Sequence, residues 1–148
     1  MAIPACQAPV YAGTMKRSLV LAALGALMAG AAIAGPGNEP MTEEALREEL
    51  FGIRMSGIVL GTSIRWRECV EPGGRTLYEI EGDAYEGRLE ITAEAQACFT
   101  YEATGTSCFR GQRAPKGFLF HPVGGGNTFS VTKVERGVKK CIASDLIG

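Results

Sequence analysis

The chain has 148 residues, of which 15 are lysine or arginine and 16 are aspartate or glutamate, so its formal net charge at pH 7 is −1. This near-neutral balance argues against wholesale nucleic-acid binding, which calls for a strongly basic surface. The length indicates one folded domain built around a single hydrophobic core.

The first organised feature of the chain is an apolar segment that follows a basic pair. Lys16 and Arg17 precede an apolar run over residues 19–33. The run closes with the small-x-small tripeptide Ala32-Ile33-Ala34, a pattern typical of a cleavable signal peptide. An uncleaved membrane anchor is the weaker alternative, because a spanning helix needs about 20 apolar residues. We therefore expect residues 15–34 to direct export to the periplasm or the extracellular space.

The segment before that signal fits neither a signal nor a domain. Residues 1–14 have no charge and contain two prolines and Cys6. We interpret residues 1–34 as a misassigned leader, with Met15 as the true start, followed by the signal peptide. The mature chain would then be residues 35–148, a single disulfide-stabilised β domain with no stable membrane span. It would have 13 basic and 16 acidic residues, a balance that again argues against a nucleic-acid partner.

One credible helix follows the expected cleavage site. Thr42 can cap it, Glu43 and Glu44 suit the positive end of the helix dipole, and Gly52 can end it. Its apolar stripe contains Ala45, Leu46, Leu50 and Phe51. A helix of about nine residues is too short to be stable alone, so we expect it to pack on a sheet.

The rest of the chain has the pattern of short strands separated by turns. Alternating residues and glycine or proline turns predict strands over 54–60, 63–70, 75–81, 84–92, 96–102, 107–113, 118–123, 128–135 and 138–142. The spacing and the lack of crossover helices predict a mostly β fold, an antiparallel up-and-down meander or small barrel of about eight strands with one short N-terminal helix.

The interior of such a barrel is either filled or holds one small ligand. The aromatic residues have enough bulk to fill it, so a filled core is the simpler expectation. If one end were open, a small apolar pocket would be lined by Phe99, Tyr101, Phe109, Phe118, Phe120 and Phe129, together with Tyr78 and Tyr85.

Four cysteines remain in the mature chain: Cys69, Cys98, Cys108 and Cys141. In an oxidising compartment an even number of cysteines indicates disulfides, and four allow three pairings. The pairing we prefer joins Cys98 to Cys108 across one hairpin and Cys69 to Cys141, which ties the tail to an early strand. Because there is no C-x-x-C motif and no second histidine, we expect neither a metal site nor a cofactor.

Catalytic chemistry has few candidates. His121 is the only histidine and Pro122 follows it, which suits a surface position. No Ser-His-Asp or Cys-His arrangement can be assembled, so we expect a protein that is not an enzyme. The alternative is an envelope hydrolase that uses carboxylates such as Asp83 and Glu86.

The most binding-like group is Trp66 with its neighbours Arg65 and Arg67, to which Tyr78 and Tyr85 add two more aromatic side chains. A lone tryptophan on the apolar face of an early strand is more often a core anchor. We expect a binding protein whose partner is an envelope protein or component, or a small apolar ligand.

The order of several motifs resembles a group of small exported proteobacterial proteins of uncharacterised function. The motifs are Leu50-Phe51-Gly52, Trp66-Arg67-Glu68, Gly73-Gly74-Arg75-Thr76, Tyr85-Glu86-Gly87-Arg88-Leu89-Glu90-Ile91, Ala97-Cys98-Phe99 with Tyr101, and Ser107-Cys108-Phe109. The resemblance implies an exported β domain similar to a small lipocalin-like or half-barrel protein, and it implies no active site. This chain differs at Leu89, where the group usually has tryptophan, and in its additional Cys69 and Cys141.

Overall fold

The structure is a computed structural model that describes residues 38–143. The expected leader and signal peptide, residues 1–34, lie outside the described residues. The described part contains one helix and eight strands: α1 Glu43–Leu50, β1 Ile53–Val59, β2 Arg65–Val70, β3 Arg75–Ile80, β4 Asp83–Ile91, β5 Ala97–Tyr101, β6 Gly105–Ala114, β7 Gly117–Pro122 and β8 Phe129–Arg136.

The eight strands form a closed antiparallel barrel in which every strand pairs with its neighbours in sequence. The barrel closes where β8 returns to β1, in a register that runs from the pair Ile53 and Arg136 to the pair Val59 and Phe129. The predicted fold class is therefore confirmed: the protein is mostly β, an up-and-down barrel of eight strands with one short helix.

The chain after β8 differs from the expectation. The segment 138–142, predicted as a ninth strand, has no strand structure. The backbone N–H of Val138 donates to the carbonyl of Gly52, and the Cys141 N–H donates to Glu71 Oε1 at 2.9 Å. These bonds hold the segment on the outside of a barrel that β8 has already closed, so no strand edge is left there for it to extend.

The helix closes the end of the barrel at which β1 begins. Thr42 caps it by accepting from the Ala45 N–H at 3.2 Å, and its fully buried Leu46 and Leu50 join the main core. The close approach depends on Gly111, because a Cβ there would lie 2.9 Å from Leu46 Cδ2. Within residues 38–143, no helix is long and apolar enough to span a membrane.

Both disulfides form on the outer side of the barrel wall. Cys98 and Cys108 are direct partners on β5 and β6, with their Cα atoms 4.0 Å apart. Cys69 on β2 is joined to Cys141, and the two pack with Leu77 and Val138 in a small apolar cluster of their own. This is the pairing preferred from the sequence.

Candidate functional site

The interior of the barrel is filled at the helix end and hollow at the opposite end. The hollow is a cavity of about 270 Å³. Thr104 and Ser107, both exposed, lie at its mouth, near the β5–β6 hairpin loop. Eight aromatic side chains line it: Trp66, Tyr78, Tyr85, Phe99, Tyr101, Phe109, Phe120 and Phe129.

The expectation of a wholly filled core is therefore wrong for this half of the barrel. The rings pack against one another around the cavity; Phe109, for example, makes edge-to-face contacts with Phe99, Phe120 and Phe129. One inward-facing residue of the lining, Ser107, is small and leaves its part of the wall without a ring. Of the aromatic residues expected around an open end, Phe118 alone does not line the cavity.

A single carboxyl lies inside this aromatic cavity. Glu68 on β2 is only 3% exposed and is the only charged residue in the described range that is buried. Its Oε2 accepts a hydrogen bond from the Tyr101 hydroxyl at 2.5 Å, whereas its Oε1 makes no hydrogen bond with any described residue. A buried carboxyl oxygen without a partner is energetically costly and marks a position where a ligand group could bind.

Burial shifts the acidity of this carboxyl. Loss of hydration raises the pKa of Glu68 to about 8, and the hydroxyls of Tyr101 and Thr76 only partly oppose the rise. The Thr76 hydroxyl oxygen makes no hydrogen bond of ordinary geometry with a described residue. Burial and the nearby Glu68 also raise the pKa of Tyr78 to about 12 and that of Tyr101 further still. A carboxyl with this pKa is mostly protonated at neutral pH.

The position of Tyr101 depends on a glycine opposite it. Gly87 on β4 pairs with Tyr101 on β5. A Cβ at position 87 would lie 2.5 Å from Cδ1 of the Tyr101 ring and 2.3 Å from the Thr100 carbonyl oxygen. The missing side chain therefore allows the ring to lie flat against β4 and its hydroxyl to reach Glu68.

The residues singled out as a binding group are divided by the sheet. Trp66 points inward, where its ring meets Phe129 edge-to-face at 5.5 Å and its indole N–H has no partner among the described residues. Arg65 and Arg67 alternate with it and are exposed on the outer face. They contribute to a groove of about 710 Å³ that also contains Glu79, Glu81 and Asp83.

The two tyrosines of that group both line the cavity. Tyr78 and Tyr85 are paired across β3 and β4, and their rings stack with centroids 6.2 Å apart. Tyr78 also packs against Tyr101 at 5.6 Å, which places three tyrosines around the carboxyl.

The acids considered for hydrolysis do not converge. Asp83 is exposed at the start of β4 and lies 3.4 Å from the Tyr85 hydroxyl, which can donate to it. Glu86 is exposed on the opposite side of the strand and pairs with Arg75 at 2.8 Å. They therefore form no catalytic pair.

His121 is half-buried on the side of β7 away from Phe118 and Phe120. Its Nε2 lies 2.8 Å from Gln112 Oε1 and its Nδ1 lies 3.3 Å from the Thr128 hydroxyl. Both ring nitrogens are thus engaged away from the cavity. The described residues contain no group of three or more potential metal ligands.

Glu68 is the site residue that the sequence interpretation missed. The signal was present, because a strand alternates and Glu68 therefore falls on the same inward face as Ile64 and Trp66. An acid on an apolar face is unusual enough to be noticed.

Comparison with known proteins gives no relative to guide the interpretation of this cavity. No protein-family model, no curated protein and no solved structure matches the chain.

Proposed function

We propose that this protein is an exported binding protein, not an enzyme, and that its barrel holds a small molecule with an aromatic or aliphatic body. The observation that carries the proposal is the ring-lined cavity at the end of the barrel opposite the helix. Ligand sites are typically concave, mostly apolar and furnished with a few polar groups, as this cavity is.

The size of the cavity limits the ligand. An apolar cavity of about 150 Å³ accepts benzene. The cavity here, about 270 Å³, has room for a body of about two rings or an equivalent aliphatic group. Of the partner classes expected from the sequence, a small apolar ligand is therefore the one we propose.

The residues that line the cavity beside Glu68 support a binding role over a catalytic one. Among the described residues, the cavity lining contains this one carboxyl and no histidine, lysine, arginine or second acid. General acid–base catalysis usually pairs two groups of different acidity, and nucleophilic catalysis needs an adjacent base.

Export is supported by the two disulfides, since such bonds persist in oxidising compartments and are rare in the cytosol. Mass spectrometry of the protein recovered from the periplasm tests this part of the proposal. We expect a chain that begins at Gly35 with two disulfides. A chain that retains residues 15–34, or that carries free thiols, would contradict it.

Binding can be tested with a neutral two-ring compound, 1-naphthalenemethanol, by titration calorimetry. Because Trp66 is the only tryptophan in the chain, its single indole N–H signal in an NMR spectrum reports on the cavity alone. We expect saturable binding with one site and a shift of that signal.

Two matched variants localise the binding. Ser107→Phe adds a ring inside the cavity, whereas Thr106→Phe adds the same ring at the neighbouring position on the outer face. We expect the first to weaken binding by about tenfold or more, equivalent to about 1.4 kcal/mol, and the second to leave it unchanged. Absence of saturable binding in the unmodified protein, or equal affinities in the two variants, would refute the proposal.

A further inference from the structure

We propose, building on the proposed function, that the ligand of this cavity carries an ammonium group and that this group binds the free carboxyl oxygen of Glu68. The apolar body of the ligand then lies among the aromatic rings. The site would thus select primary or secondary amines with a body of about two rings over neutral and acidic molecules of the same shape.

The geometry of Glu68 provides the first argument. Its side chain lines the cavity, is buried to 3% exposure, and has one oxygen held by Tyr101 while the other is unpaired. An ammonium group supplies up to three donors and a positive charge, so it can satisfy Oε1 and stabilise the ionised carboxylate in one contact.

The aromatic walls provide the second argument. The ring pairs Tyr78–Tyr101 and Tyr78–Tyr85 have centroids 5.6 and 6.2 Å apart beside the carboxyl. Aromatic faces attract cations through their negative quadrupole, and this attraction is stronger when the cation is desolvated. A cavity of aromatic rings around one carboxylate therefore has room for a cation and attracts it electrostatically.

The charge at the mouth of the cavity also favours a cationic ligand. The loops at the open end, residues 60–64, 81–82, 102–104 and 123–128, contain Glu81 and Glu102 and no lysine or arginine. Asp83 follows immediately at the start of β4, and Arg65 at the start of β2. These three acids and one base give the mouth a net negative charge, which concentrates cations and disfavours anions.

An acidic ligand is the competing occupant. Protonated Glu68 and the unpaired indole N–H of Trp66 could both donate to a carboxylate. No cationic side chain of the described residues lines the cavity to neutralise it, however, so an anion would be buried without a counter-ion.

Binding of an ammonium group would be linked to proton release. The groups that face Glu68 are Met55 on β1, Thr76 and Tyr78 on β3, and Tyr101 on β5, of which only the tyrosines titrate, and both do so at high pH. Since the pKa of Glu68 is about 8, a bound cation must displace its proton at neutral pH. For an amine that stays protonated, the affinity should therefore rise about ninefold from pH 6 to 7 and about fivefold from pH 7 to 8.

Three compounds of nearly identical shape test the proposal by calorimetry: 1-naphthylmethylamine, 1-naphthalenemethanol and 1-naphthoic acid. At pH 8 we expect the amine to bind about tenfold or more tightly than the alcohol, with the acid weakest. At pH 7, titrations in two buffers of different ionisation enthalpy should show close to one proton released with the amine and none with the alcohol.

Two variants assign the effect to Glu68. In the Glu68→Gln variant, the affinity for the amine should fall to that for the alcohol and proton release should be abolished. Binding of the alcohol should persist. Glu90→Gln removes an exposed acid on the outer face of β4 that does not line the cavity, and the preference for the amine should remain.

The outcomes separate the two proposals. If the alcohol binds but the amine binds no better, or if its advantage survives in Glu68→Gln, the ammonium proposal is overturned and the binding function stands. Tightest binding of the acid overturns it in favour of an anionic ligand. If none of the three compounds binds, the binding function fails as well.

Discussion

The two ends of the barrel are built from different kinds of side chain. At the helix end, aliphatic residues fill the interior, and Leu46, Leu50, Ile53 and Val70 are at most 1% exposed. At the open end, aromatic rings leave a cavity with a carboxyl oxygen and an indole N–H that have no hydrogen-bond partner among the described residues. The contrast teaches that the filled core and the cavity are separated along the barrel axis, so the open end can carry costly polar groups without loss of the fold.

Charges are divided in the same way. At the helix end Glu49 accepts from both Arg113 and Arg136, and although burial opposes it, these two guanidinium groups lower the pKa of Glu49. At the open end the loops carry acids without lysine or arginine. The two arginines thus neutralise the acid at the helix end, whereas the loops of the open end carry an excess of acids.

The largest expected effect on the packed half comes from the disulfide that ties down the tail. Replacing Cys69 and Cys141 by serine removes a link across 72 residues, which we expect to cost about 4 kcal/mol of unfolding free energy. Removing the Cys98–Cys108 link, which spans 10 residues, should cost about 3 kcal/mol. Urea unfolding of the two double variants measures both values. A larger cost for the shorter link would mean that the tail adds little to the barrel.

The contrast in packing can be measured with one truncation at each end. Leu50→Ala should cost about 3 kcal/mol, because it opens a cavity in a filled core. Phe109→Ala should cost only about 1 to 2 kcal/mol, because its half-buried ring already borders empty space. Denaturant unfolding at one pH compares them. Equal costs would show that the open end is packed as well as the helix end.

The next prediction concerns how Glu68, the carboxyl at the open end, makes stability depend on pH. Since Glu68 has a folded-state pKa of about 8 and a reference value of 4.5, the native state holds more protons than the unfolded state between these pH values. Stability should therefore fall as the pH rises through this window, by up to about 1.4 kcal/mol per pH unit. The stability of the Glu68→Gln variant should not change with pH in this window. At pH 8 the variant should be about 2 kcal/mol more stable than the unmodified protein; the cost of burying the amide keeps the gain from being larger.

Melting temperatures from pH 5 to 9 test this prediction. Glu90→Gln, an exposed acid on β4, should keep the slope of the unmodified protein. At pH values below this window Glu71 has the opposite effect on stability. The Cys141 N–H and Arg75 lower the pKa of Glu71, so the stability that its ionised form provides is lost as the pH falls. A stability profile of the unmodified protein that is flat from pH 5 to 8 would show that Glu68 is ionised throughout.

The sequence was sufficient for the barrel but only partly for the cavity. Alternation along Tyr85, Gly87, Leu89 and Ile91 predicted β4 because one face of that strand is buried and the other exposed. Glycine and proline turns then set the number of strands.

Whether the interior is filled depends on how rings pack across the barrel, and composition does not determine this. Phe109 illustrates the difficulty: its sequence position identifies it as inward-facing, but only three-dimensional contacts show that it packs against Phe120 and Phe129. Trp66 and its flanking arginines were grouped by proximity in sequence, although alternation places them on opposite faces.

The smallest predicted effect tests whether the two ends are independent. Thr42→Ala removes the cap of α1, a hydrogen bond of 3.2 Å to the Ala45 N–H, and should cost about 1 kcal/mol. If the ends are separate, this variant melts earlier while its affinity for 1-naphthalenemethanol stays the same. Calorimetry at a temperature well below both melting transitions makes the comparison. A fall in affinity that matches the loss of stability would instead mean that the helix sets the shape of the cavity through the barrel wall, and the division into a stabilising end and a binding end would be wrong.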